Sequence, residues 1–240
     1  MNNLNEKRIV ILGAGGGFGR AIVSQLSKHG ASLALGDLNA DTLDPVADEA
    51  RAAGAGEVTT AAVNVTDESS VADFFAAVKK NHGGADVLLY LPGMSVASPV
   101  TDMDEADYDK IVDVNFKGLF LAAKYYLPLT DPEQDPMLAF ISSQAATRAN
   151  PNAPVYCAAK AAVSMFGQGL ALQTKEKNVR ITAIKPGPVD TKGFWGDRPV
   201  PREKFMQPSD VAEVVEFVLN RPPHVVMHEV SFESYDFFKK

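Results

Sequence analysis

Short runs rich in leucine and β-branched residues alternate along the first half of the chain with longer, alanine-rich stretches whose apolar positions recur at helical spacing. Residues 8–12 read as a first strand, followed by a glycine turn and a helix over about 18–29. A second strand at 32–36 leads into a helix at 41–53, and 58–63 is the third strand. Thr66-Asp67-Glu68-Ser69 supplies capping chemistry for a helix reaching about residue 81, and 86–90 is the fourth strand. Two longer helices are predicted at 104–127 and 155–177, separated by a strand at 137–141. After a strand at 179–184 comes an irregular, proline-rich segment at 185–208, then a helix at 209–219 and a last strand at 225–230. Strands alternating with helices in this way predict an α/β fold: a doubly wound parallel sheet of about seven strands with helices on both faces.

Composition narrows the picture. The 240 residues, 46% apolar and 22% charged, suffice for one domain spanning 1–240, within which 191–208 is a substrate lid segment. A net charge of −7 offers no footprint for nucleic acid or an anionic membrane. Apolar runs such as 8–12 and 87–91 are strand-sized, far short of the roughly 20 residues that cross a bilayer. Cys157, the single cysteine, has no intrachain partner, and the N-terminal Met-Asn-Asn-Leu-Asn-Glu-Lys lacks the layout of a signal peptide, so a cytoplasmic location is expected. The four histidines show no metal-ligand spacing, although His224 and His228 would share one side of the last predicted strand.

Two constellations carry chemistry. Gly13-Ala14-Gly15-Gly16-Gly17-Phe18-Gly19 lies between the first strand and the first helix, where a dinucleotide pyrophosphate needs a turn without Cβ atoms and a free helix N-terminus. Asp37 ends the second strand about twenty residues on, where a carboxylate accepts from both adenosine ribose hydroxyls and repels a 2′-phosphate. Gly36 and Leu38 flank it, so NAD(H) is favoured over NADP(H), with Arg20 the one basic group that tempers the choice. A glycine turn or a turn aspartate alone would be ordinary loop chemistry; their pairing points to a nucleotide. The second constellation is Ser143, Tyr156 and Lys160. Tyr156 and Lys160 share a helix face at i and i+4, so an ammonium can favour the phenolate of a group whose free pKa of about 10 makes a poor base. A lone Tyr-x-x-x-Lys is more often a buried tyrosine beside a snorkelling lysine.

Together with Val114-Asn115 and Tyr156-Cys157-Ala158-Ala159-Lys160, these features resemble the classical short-chain dehydrogenase/reductase family along nearly the whole chain. The resemblance implies a catalytic tetrad of Asn115, Ser143, Tyr156 and Lys160. Tyr156 would transfer the proton, Ser143 bond the substrate oxygen, Lys160 lower the tyrosine pKa and hold the nicotinamide ribose, and Asn115 position a relay water. It implies cofactor contacts from Gly13, Gly16, Gly17, Phe18 and Gly19, from Asp37 and Leu38, and from Asn64-Val65 beneath the adenine, where the Asn64 carbonyl oxygen can accept from the adenine amino group. It also implies contacts from Leu91-Pro92-Gly93 and from Pro186-Gly187, with Val189 and Thr191 at the nicotinamide carboxamide. Homo-oligomers, tetramers or dimers built on the two long helices, follow from the same likeness.

The chain departs from the family pattern in places. Leu12 replaces a common threonine, and Tyr90-Leu91-Pro92-Gly93 replaces Asn-Asn-Ala-Gly, removing amides whose hydrogen bonds support the sheet. Lys185 replaces an asparagine, with its charge directed either to the site or to solvent, and Cys157 reads as a packing residue in place of serine. Candidate contacts for an alcohol or carbonyl substrate are Met94, Ser95, Ala145, Phe194 and Trp195, the last two equally suited to packing the lid. A hydride-transferring oxidoreductase is the leading reading. A 3-oxoacyl-type reductase is weakened by the absence of an Asp-Gly-Gly ending, and an epimerase or dehydratase by the Gly13, Gly17, Gly19 spacing. A non-enzymatic nucleotide sensor on the same fold is disfavoured by Tyr156 and Lys160 both being present.

Overall fold

The structure is a computed structural model and describes residues 4–239; part of the N-terminal segment used above lies outside them. Its elements run β1 (Arg8–Leu12), α1 (Gly17–Ser27), β2 (Ser32–Asp37), α2 (Leu43–Ala52), β3 (Val58–Ala62), α3 (Glu68–His82), β4 (Val87–Tyr90), α4 (Glu105–Val112) and α5 (Gly118–Tyr126). They continue with β5 (Met137–Ile141), α6 (Pro154–Thr174), β6 (Arg180–Pro186), α7 (Lys192–Trp195), α8 (Pro208–Leu219), β7 (Glu229–Phe232) and α9 (Tyr235–Phe238). The seven strands form one sheet in the order β3-β2-β1-β4-β5-β6-β7, and every pairing is parallel.

Alternation along the strands explains the layering. In β1, Ile9 and Ile11 point to a core shared with α1, α2 and α8, while Val10 and Leu12 point to one shared with α3, α5 and α6. Central strands are therefore covered on both faces, which is why β4 and β5 read as unbroken apolar runs. Burying each large apolar side chain contributes about 1.5–3 kcal/mol. Strand order reverses between β1 and β4, so their C-terminal ends open a crevice, the place where doubly wound sheets bind ligands.

Three parts differ from the sequence reading. The helix expected over 104–127 is divided by a π turn at Asp113–Lys117, a widening that preserves the apolar face on both sides and so leaves no trace in its period. The last strand begins at Glu229, not at Val225, with Ala183 paired to Glu229. The Arg180 guanidinium bonds the Arg221 and Val225 carbonyls at 3.2 Å each, holding that apolar run as a loop, so His224 and His228 precede the strand. Finally, 154–177 is long and apolar enough by composition to cross a membrane, in contrast to the strand-sized runs at 8–12 and 87–91; here its Val163 and Leu170 pack into the sheet-covering core.

Candidate active site and nucleotide cleft

Each predicted cofactor segment ends or follows a strand at the same edge of the sheet. Gly13 follows β1 with φ +84°, a left-handed conformation, and a Cβ there would lie 3.3 Å from Leu91 and Pro92. Its N–H and that of Ala14 donate to the Gly36 carbonyl (2.8 and 3.1 Å), locking the turn to β2. Gly16 is the N-cap of α1 and gives it no side-chain cap, so the first-turn N–H groups face the cleft free for an anion. Asp37 Oδ2 accepts from the Gly15 N–H (2.9 Å), which sets the carboxylate against the glycine turn. Arg20 lies on the outside of the same turn, with Nε 3.4 Å from the Gly15 carbonyl. The cleft encloses about 330 Å³ and is lined by Gly13, Gly16, Gly17, Phe18, Gly19, Asp37, Leu38, Asn64, Val65, Leu91, Pro92, Gly93, Tyr156, Lys160 and Thr191. Asn64 departs in detail from its expected role. Its Oδ1 already accepts from the Thr66 N–H (3.1 Å) and hydroxyl (2.8 Å), so an adenine amino group would compete with Thr66 for this oxygen.

Beyond β4, the end of the strand is tied to the helix that follows by a tyrosine hydroxyl. Tyr90 is fully buried and its Oη donates to the Val114 carbonyl at 2.6 Å, within the π turn. That turn carries Asn115, whose Nδ2 donates to the Ile111 and Met94 carbonyls (2.8 Å each). The two donations fix the amide's orientation. Asn115 Oδ1 is buried and, among the described residues, has no partner. A Cβ on Gly93 would lie 3.2 Å from this oxygen and 3.1 Å from Lys160 Nζ, close enough that one of the two side-chain ends would have to shift. An orphaned acceptor beside an ammonium is a ready position for a water or a sugar hydroxyl.

Ser143 caps the turn after β5: its Oγ accepts from the Ala145 N–H (3.1 Å), which leaves the hydroxyl proton to donate. Tyr156 and Lys160 stand one turn apart on α6. The buried Ser142 hydroxyl donates to the Lys160 carbonyl (3.2 Å), fastening α6 to the end of β5. Burial pushes the Tyr156 phenol up to about 12, against which a hydrogen bond from Ser143 and the charge of Arg198 pull it down. Lys160 departs from the simple expectation of an ammonium on the phenol oxygen. Its Nζ donates to the Ile141 carbonyl (2.8 Å) and sits 5.7 Å from the centre of the Tyr156 ring. Burial brings Lys160 down to about 7.

A second, larger cavity of about 550 Å³ adjoins the cleft, and the two share Phe18, Ile141, Tyr156, Thr191 and Phe194. Ser143 lines it, as do Ser95, Ala145, Phe194 and Trp195 from the predicted substrate set. Met94 lines neither cavity; its loop lies along the π turn, where its carbonyl holds Asn115. Pro186, Gly187 and Val189 line the larger cavity and not the nucleotide cleft, and the Val189 carbonyl accepts from the Thr191 N–H (2.9 Å) and Trp195 Nε1 (2.7 Å). The two aromatic lid residues divide their roles. Phe194 faces Tyr156, with ring centres 5.8 Å apart, and Trp195 packs the lid on Phe205 at 5.0 Å. Lys185 points into neither cavity: it is buried and pairs with Glu229 at 2.6 Å. Cys157 accepts from the Asn150 N–H (3.3 Å), a packing position. Arg148, Arg198, Phe205 and Phe237 also line the larger cavity and were not singled out from the sequence, because they come from segments distant along the chain and match no motif.

Known proteins resemble this chain in sequence and fold. The profile of the short chain dehydrogenase family matches residues 7–199. An uncharacterized oxidoreductase of Staphylococcus aureus (strain MRSA252) is 32% identical over 231 residues, covering 96% of this chain and 98% of that protein. One from Staphylococcus saprophyticus is 30% identical with the same coverage. Among solved structures, an alcohol dehydrogenase from the archaeon Thermococcus sibiricus complexed with 5-hydroxy-NADP superposes with a TM-score of 0.90 at 27% identity, covering 97% of this chain and 98% of that one. Levodione reductase superposes with a TM-score of 0.87 at 25% identity, covering 96% and 97%.

Proposed function

Because the chain belongs to the short-chain dehydrogenase family of oxidoreductases, we propose that it interconverts a secondary alcohol and a ketone using NAD(H), with Tyr156 as the acid/base. The observation that carries this reading is the position of Tyr156 on the wall shared by two cavities, one lined by the glycine turn and Asp37, the other by Ser143 and the aromatic lid.

The residues of the cleft fit a dinucleotide. The N-terminus of α1 and the glycine turn would hold the pyrophosphate, Asp37 the adenosine ribose, and Lys160 with the orphaned Asn115 Oδ1 the polar groups near the nicotinamide. When bound, the nicotinamide supplies or accepts the hydride. The protein's own part is at the oxygen. In reduction, Tyr156 releases its proton to the carbonyl oxygen while the Ser143 hydroxyl donates to the same atom, so the negative charge that develops there meets two aimed donors. In oxidation the phenolate takes the alcohol proton. Lys160 and a water held at Asn115 Oδ1 lead protons between the phenol and solvent.

The archaeal alcohol dehydrogenase was solved with 5-hydroxy-NADP, so the reading for NAD(H) rests on this chain's own residues. Here the Asp37 carboxylate, fixed by Gly15, supports NAD(H), while Arg20 bonds outward to a carbonyl. Phe120, Met165 and Leu172, exposed on α5 and α6, support assembly into a homo-oligomer through those helices, which sedimentation would test. For the activity itself, a panel of secondary alcohols and ketones followed by nicotinamide absorbance is expected to give turnover on at least one pair. No turnover across such a panel would contradict the reading.

A further inference from the structure

We infer that the substrate is anionic: an oxo acid or hydroxy acid with an apolar body, whose carboxylate is held by Arg198 while its reacting oxygen faces Ser143 and Tyr156. This rests on the oxidoreductase reading above and assigns its substrate class.

Two arginines line the larger cavity, and their situations differ. Arg148 forms a fork with Glu233, Nη1 to Oε2 at 3.2 Å and Nη2 to Oε1 at 3.0 Å, so its charge is already met. Arg198 has no carboxylate partner among the described residues. Its Nε donates to the Trp195 carbonyl (2.9 Å) and one Nη2 proton to the Phe194 carbonyl, which caps the short helix α7. A guanidinium carries five N–H donors in a rigid plane, so three are left after these bonds. Capping alone therefore does not exhaust the group.

The plane is held in place. Arg198 stacks over Phe194 (5.3 Å) and Trp195 (5.1 Å), and Phe194 in turn packs on Tyr156. The cation thus sits on the same wall as the acid/base, close enough that its charge acts on the phenol. In a chain of net charge −7, an unpaired, partly dehydrated guanidinium beside the reacting position is matched by a carboxylate, which it can grip with two parallel hydrogen bonds. Trp195, Phe205 and Phe237 give the same cavity an aromatic stretch of wall that suits an apolar body between the two polar ends.

The test compares an oxo acid with its methyl ester, at matched chain length, on the wild-type protein, Arg198→Met and Arg198→Lys. The expected kcat/KM ratio of acid to ester is about tenfold or more in the wild type, near one in Arg198→Met and intermediate in Arg198→Lys. A second readout needs no turnover: Trp195, the only tryptophan, lies against the guanidinium. Its fluorescence in the NADH-bound protein is expected to titrate saturably with hexanoate but not with hexanamide. Equal acid and ester rates, an acid preference that survives Arg198→Met, or indistinguishable titrations with the two hexanoyl probes would overturn the proposal. If hexanoate binds through Arg198 while no carbonyl compound turns over, the anion site stands and the oxidoreductase reading fails.

Discussion

The Tyr90 phenol donates to the Val114 carbonyl at 2.6 Å, tying the end of the β4 strand to the π turn that carries Asn115. The bond stands where the family pattern has asparagine amides, and it joins the sheet to the turn whose Asn115 Oδ1 is buried without a partner among the described residues, behind the cleft wall that Val114 lines.

Removing it tests its weight. Tyr90→Phe keeps the ring and strands a carbonyl, so urea unfolding is expected to show a loss of about 1–3 kcal/mol. Because Asn115 shifts with the turn, kcat should fall more than NADH affinity. A variant as stable and active as the wild type would show the tether to be incidental.

Asp37 should decide the cofactor. NADH is expected to bind much more tightly than NADPH by fluorescence titration, and Asp37→Ala to reduce that preference at least tenfold by relieving the 2′-phosphate of a like charge. Equal affinities in the wild type would refute the assignment and direct attention to Arg20.

Lys160 gives a pH signature in the ligand-free protein. Its folded-state value of about 7 lies below the ordinary 10.5, so between these values the unfolded chain binds the extra proton and stability rises with pH. Below about pH 7 the cost of the buried ammonium is fully present. Lys160→Met should therefore raise the melting temperature at pH 7 while abolishing turnover, and flatten the rise toward pH 10. A lower melting temperature with an unchanged slope would show that the Ile141 bond outweighs desolvation.

Ser143 lowers the phenol's pKa through its hydrogen bond. Ser143→Ala should shift the pH dependence of alcohol oxidation to higher pH, since the phenolate then forms less readily, and cut kcat by roughly 100-fold or more through loss of a donor to the developing oxyanion. An unshifted profile would separate Ser143 from the tyrosine's titration.

Much of the fold was legible because buried parallel strands read as continuous apolar runs, as in β1, β4 and β5, and because the edge strand β3 carries β-branched residues between turn signals; β1 to β6 were located within a residue or two. β7 was misplaced because it is an edge strand whose Glu229-Val230-Ser231-Phe232 is half exposed and less apolar than the loop before it. The spacing of Ser143, Tyr156 and Lys160 was enough to bring them to two adjoining cavities, Lys160 in the nucleotide cleft, Ser143 in the larger cavity and Tyr156 on the wall they share, since a strand end and one helix face are short-range geometry. What spacing could not show was direction. It did not show that Lys160 turns to the Ile141 carbonyl, that Asn64 spends its oxygen on Thr66, or that Lys185 buries its charge against Glu229. Arg198 and Phe237 reach the cavity through tertiary folding of segments with no period or motif.

The most direct test is Tyr156→Phe, which removes one oxygen from the wall between the two cavities and leaves the ring that packs on Phe194. Hydride transfer measured in a single turnover with saturating NADH is expected to fall by at least 1,000-fold, while NADH affinity by fluorescence changes less than threefold. Single-turnover hydride transfer within tenfold of the wild-type rate would contradict Tyr156 as the acid/base.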